Sequence, residues 1–110
     1  MNKSLFICLF MSLFILKGET LPSNIAFGSC GSQDKPMPIL YKVTDFTPDV
    51  FVYLGDNIYV DTKDMNVLKA KYAKLSSKKE FVHLKSKVPN IYATWDDHDY
   101  GQNDAGKEYP

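Results

Sequence analysis

The sequence predicts an α/β fold with parallel strands at its centre and helices between them. Three observations predict it. First, three short apolar runs, Asn24–Phe27, Val50–Leu54 and Ile91–Trp95, are rich in β-branched and aromatic residues. Second, the segments between them repeat apolar residues at helical rather than alternating spacing. Third, each run hands over directly to glycine or to an acidic residue, the usual punctuation at the carboxyl end of a strand in an open α/β sheet.

The chain has 110 residues with Lys+Arg equal to Asp+Glu. It opens with Lys3 and then an uncharged run from Leu5 to Leu16. One basic residue before about a dozen apolar ones reads as a secretory signal peptide over residues 1–20, with cleavage between Gly18 and Leu21. The run is shorter than the roughly 20 residues a membrane span takes, so no span is expected after signal removal. The expected location is periplasmic or extracellular. Residues 21–110 then form one domain with a thin core, because so short a chain buries a modest share of its surface.

Charge is unevenly placed. Lys63 to Lys87 holds eight lysines against Asp64 and Glu80, and Asp96 to Glu108 holds five acids against Lys107. Neither block is pure enough for a nucleic-acid-binding patch, and the lysines read as solvated helix faces. Cys30 is the one cysteine left after signal removal. A lone thiol in an exported chain leaves three roles open: a buried inert thiol, an interchain pair, or a metal ligand.

Taken in order, the strand Asn24–Phe27 ends in a glycine-punctuated turn, Gly28–Ser32. Pro36 or Pro38 suits the first turn of a helix whose apolar stripe is Ile39, Leu40, Val43 and Phe46. Thr47-Pro48-Asp49 closes that helix. The second run, Val50-Phe51-Val52-Tyr53-Leu54, is apolar at every position, as in a strand buried on both faces. Strand, helix and strand form a βαβ unit with a right-handed crossover. Met65, Leu68, Tyr72 and Leu75 mark a second helix. Ser77-Lys78-Lys79-Glu80 fits a capping box that opens a third, with Phe81, Leu84 and Val88 as its apolar side. His83 lies off that stripe and reads as a surface residue. The third run leads to Asp96-Asp97-His98-Asp99 and a loop over residues 100–106.

If the strands are parallel, Cys30, Asp56 and Asp97 lie along one edge of the sheet. Asp96-Asp97-His98-Asp99 packs like charges that repel and raise one another's pKa, a cost that a bound cation relieves. Carboxylates suit hard ions, a phenolate at Tyr59 suits Fe3+, and a thiolate suits iron or zinc. His98 is the one plausible histidine ligand, so a histidine-rich zinc site cannot be assembled from this chain.

Phe27-Gly28-Ser29-Cys30, Leu54-Gly55-Asp56-Asn57-Ile58-Tyr59 and Trp95-Asp96-Asp97-His98-Asp99-Tyr100-Gly101 together resemble the alkaline phosphatase D (PhoD-type) family of calcineurin-like metallophosphatases. The resemblance implies a partial metallophosphatase sheet with flanking helices, incomplete here. It implies Cys30 and Tyr59 as iron ligands, Asp56 as a bridging carboxylate and Asp97 as a calcium ligand, with Asp96 a less certain neighbour. His98 would act at the substrate phosphate, and Asn103 would support from behind. The implied cofactors are Fe3+ and Ca2+, and the implied substrate is a phosphate ester attacked by metal-bound hydroxide. The family's later metal-binding histidine and aspartate residues fall beyond position 110, so the chain is expected to be an amino-terminal part. The alternative expectation is a catalytically inactive fragment that at most binds metal or a partner.

Overall fold

A computed structural model describes residues 20–109; the expected signal peptide lies almost wholly outside them. The elements are β1 (Ile25–Gly28), α1 (Ile39–Asp45), β2 (Val50–Tyr53), α2 (Met65–Ser77), α3 (Lys79–Lys87), β3 (Asn90–Ala93) and α4 (Asp97–Tyr100). The sheet is three-stranded in the order β1-β2-β3, and both pairs are parallel. The α/β arrangement expected from the sequence is therefore the observed one. Register places Ala26, Phe51 and Ile91 side by side, and likewise Phe27, Val52 and Tyr92.

The helices cover one face of this sheet. Phe51 and Tyr53 turn toward them and pack with Met37 and Leu40, with Leu75 of α2, and with Leu84 and Val88 at α3. Leu84 is fully buried, and such burial stabilises by about 1.5–3 kcal/mol per large aliphatic side chain. The opposite face is open: Ile25, Phe27 and Tyr92 are 57%, 69% and 60% exposed. The expectation that β2 is buried on both faces is thus corrected. Its run is apolar at both parities, but only Phe51 and Tyr53 are buried, while Val50 and Val52 are half-buried. Trp95, read as the end of a buried strand, stands outside β3 and is 73% exposed.

Helix ends also differ from expectation. α1 stops at Asp45, so Phe46 is its C-cap and is exposed. Thr47 follows with φ 46°, which turns the chain toward β2. Asp49 then accepts from the Ser23 and Asn24 amides at 2.7 and 3.0 Å and ties the start of β1 to that of β2. These two backbone bonds hold its carboxyl below the ordinary range. Met65 at the start of α2 is exposed, and the stripe's buried end is Leu75. Asp64 caps α2 by accepting from the Asn66 amide.

The expected Ser77–Glu80 capping box does not form. Ser77 still belongs to α2 and donates to the Lys74 carbonyl, so Lys78 becomes the cap of α3. Glu80 is buried and accepts instead from the Met37 amide, which fixes the approach to α1. His83 is half-buried rather than superficial. It lies 3.1 Å from Thr44 Oγ1 and stacks tilted on Tyr41, joining α3 to α1.

Gly55 ends β2 with φ 109°, and an added Cβ would sit 2.7 Å from Asp96 Cβ. Only glycine permits both the turn and the close approach of the two acidic loops. Gly55→Ala should lower stability by about 1–3 kcal/mol, read from urea unfolding midpoints. An unchanged midpoint would mean that the loops part without cost.

Candidate metal centre

Three loops leave the carboxyl ends of the strands, and buried polar groups bind them together. The Cys30 and Gly31 amides donate to the Gly55 and Asp56 carbonyls at 3.3 and 3.0 Å. Gln33, wholly buried, accepts from the Tyr59 amide at 2.9 Å and donates to the Tyr59 carbonyl at 3.3 Å. Asp99 is 2% exposed and joins the second loop to the third. Its carboxylate accepts from the amides of Asn57, Ile58 and Asp96 at 2.8, 3.0 and 3.0 Å, and from Asn57 Nδ2 at 3.2 Å. The Val60 amide completes the seam by donating to the His98 carbonyl.

The lysines expected to be solvated do part of this holding. Lys71 donates to the Tyr59 and Val60 carbonyls, Lys74 pairs with Asp34, and Lys78 donates to the Gln33 carbonyl. Helix α2 is thereby strapped over the loops that carry Tyr59 and Gln33.

On this frame, Asp56, Asp97 and His98 each bring one ligand atom within 4.8 Å of the others. Cys30 and Tyr59 flank the cluster: the Cys30 thiol lies 3.5 Å, and the Tyr59 hydroxyl 3.4 Å, from Asp56 Oδ2. Residues up to 67 positions apart in sequence thus meet at one rim. Cys30 is exposed there, not buried as a structural thiol would be. Asp96 does not join the cluster. Its carboxylate caps α4, accepting from the Asp97 amide, and forms a capping box with Asp99. The single turn of α4 is not expected from the sequence, because its four residues carry no apolar period. Asn103 is exposed and contacts Asp104, away from the cluster.

Two residues were missed. Asp61 holds His98 Nδ1 at 2.6 Å, leaving Nε2 as the ring nitrogen not engaged by Asp61. Asp99 is the staple already described. The signal for Asp61 was present but faint: a second aspartate five residues after Asp56, on the same loop.

The rim carries strained backbone. Cys30, Asp56 and Asp61 have φ of 60°, 50° and 51°. Left-handed non-glycine residues cost of order 1–3 kcal/mol each and gather where geometry serves function. Asp56 Oδ1 is buried without a hydrogen-bond partner, an expensive state for a carboxylate oxygen. The carboxylates of Asp56 and Asp97, the His98 imidazole, and the phenol and thiol on Asp56 Oδ2 together fit a cation of hard or borderline character. Burial, and next the charge of Asp56 and Cys30, push the Tyr59 phenol up to about 12. A neighbouring cation would reverse that effect. For His98, burial disfavours the charged ring, but the bond and charge of Asp61, then the charges of Asp56 and Asp97, outweigh it and raise its pKa.

Compared with known protein families, curated proteins and solved structures, the chain finds no match, so the chemistry of this rim rests on its own residues.

Two outcomes are expected. Asp99→Ala should cost at least about 2–3 kcal/mol, since charged acceptors contribute more than neutral ones and four donors lose their partner. Thermal unfolding reads it, and a loss under 1 kcal/mol would contradict the staple. For chelator-treated protein, the His98 midpoint by NMR should lie above 6.5 and fall in Asp61→Asn. The folded pKa is raised, so the pair's contribution to stability is full below pH 6.5 and fades as pH rises through the folded value.

Proposed function

We propose that this chain carries the metal-binding part of a phosphoric ester hydrolase, of the alkaline phosphatase D type that its motifs resemble. The observation that carries this reading is the cluster of Asp56, Asp97 and His98 at the carboxyl ends of parallel strands, with Cys30 and Tyr59 on Asp56. Cys30, Tyr59 and Asp56 would hold Fe3+, and Asp56 and Asp97 would hold Ca2+. The orphaned Asp56 Oδ1 supports this set, because it is a buried carboxylate oxygen with no hydrogen-bond donor to compete with an ion. Asp96, as the cap of α4, keeps Asp97 in place without ligating.

When bound, the ions supply a polarised phosphoryl oxygen and a nucleophilic water at neutral pH. The chain's residues do the rest. Asp61 fixes the His98 ring, and its bond and charge favour the protonated form of that ring. His98 can then bind a phosphate oxygen and hand its proton to the leaving oxygen. The Asp99 staple holds Asp56 and Asp97 at constant separation, so little reorganisation is required of them.

One observation favours a second reading, metal binding without turnover. The tightest cluster offers three ligand atoms, whereas Ca2+ takes six to eight oxygens. An assay with an aryl phosphate separates the two. Under Fe3+ and Ca2+ the chain should hydrolyse the ester above a metal-only control, and Asp56→Asn should abolish this at least 100-fold. Metal uptake by calorimetry with no turnover would leave the binding reading alone. A visible charge-transfer band on adding Fe3+, lost in Tyr59→Phe, would support the phenolate as ligand; no band would remove Tyr59 from the set.

A further inference from the structure

A cavity of about 620 Å3 opens beside the candidate metal centre, between the β1 edge and α1. Cys30 and Tyr59 belong to both places: each lies within 3.5 Å of Asp56 Oδ2 and each lines the cavity. Toward α1 and β2 the walls are hydrocarbon, from Met37, Ile39, Leu40, Val43 and Phe51, while Ser29, Ser32 and Lys35 line it from the loop after β1. The volume suits a bicyclic or branched organic group, within the range of small-molecule sites. Tyr53 is another wall, and its hydroxyl is buried without a partner. Ser29, Ser32 and Lys35 offer polar partners only from the loop after β1, so a sugar or nucleoside would leave the hydroxyl and amide groups set against α1 and β2 unpaired.

We propose that this cavity receives the leaving group of the substrate, which makes the substrate class phosphate esters of bulky apolar alcohols or phenols. The inference rests on the hydrolase reading above. Hydrolysis forms one P–O bond from water and breaks the P–O bond to the leaving oxygen. That oxygen takes a proton, and the freed alcohol occupies the apolar walls.

The test uses the full chain and three probes. 2-Naphthylmethanol has no phosphoryl group, methylphosphonate has no apolar group, and 2-naphthylmethylphosphonate has both. Binding is read from the 13C-methyl shifts of Met37 and Leu40. 2-Naphthylmethanol should shift both with or without ions, and Ile39→Ser should weaken its binding at least fivefold. Ile39 is exposed, so that variant keeps the core intact. Val43→Trp, which fills the cavity, should abolish the shifts. With Fe3+ and Ca2+, 2-naphthylmethylphosphonate should bind at least tenfold tighter than methylphosphonate, and Asp56→Asn should remove only the gain due to the ions. No shift with 2-naphthylmethanol, or equal affinity for the two phosphonates, overturns the inference while a metal-linked methylphosphonate affinity leaves the hydrolase reading standing. If the alcohol binds but ions add nothing to either phosphonate, the hydrolase reading falls and the leaving-group assignment falls with it.

Discussion

The buried carboxylate of Asp99 is the constraint on which the rim depends. It accepts from three backbone amides and one side-chain amide, in a seam where Asn57, Ile58 and Val60 are also buried. The two loops so joined are the ones that carry Asp56 and Asp97. Neither loop has regular structure that could fix it alone, since β2 ends at Tyr53 and α4 is only one turn. A charged acceptor with four donors makes the seam stiff because losing any one partner strands a polar group in the interior.

That stiffness explains how the chain tolerates strain at the rim. Three residues with left-handed backbone lie on the joined loops or beside them, and each would relax if its loop were free. The staple at Asp99, the Gln33 bridge and the Lys71 strap act on the second loop from three sides. Asp56, Asp61 and Asp97 are thereby held near one another despite their like charge. The cost is borne by packing elsewhere, chiefly around Leu84, Phe51 and Ile58, which are almost completely buried.

Much of this was legible in the sequence, for a local reason. Strand and helix periods are short, and the glycine at the end of β2 marks its own turn, so the order of the strands and the first three helices and the meeting of Cys30, Asp56 and Asp97 follow from spacing and parallel pairing, while Tyr59 and His98 enter through the motif resemblance. The parts that were not legible depend on distant partners. Nothing near Asp99 distinguishes it from Asp96, yet one is a buried staple and the other a helix cap. Glu80 resembles a capping residue until Met37, 43 positions earlier, claims its oxygen. Lysines on α2 look solvated until a loop carbonyl lies within reach. A run apolar at both parities, as in β2, cannot say which face will be covered.

The open sheet face shows what that last ambiguity means physically. Phe27, Val52 and Tyr92 line up across the three strands, and Ile25 and Val50 line up beside them. Parallel strands are ordinarily covered on both faces, and these are residues of a covered face. The helical side therefore supplies nearly all the burial that offsets the chain entropy, which leaves a small margin for a rim of clustered acids. A cation bound only by the folded rim would widen that margin by mass action, because the unfolded chain scatters the same ligands. Any ion binding would thus be coupled to folding through the same carboxylates. The Asp99 seam sets how strongly they are coupled, because it decides whether the ligands are already gathered before the ion arrives.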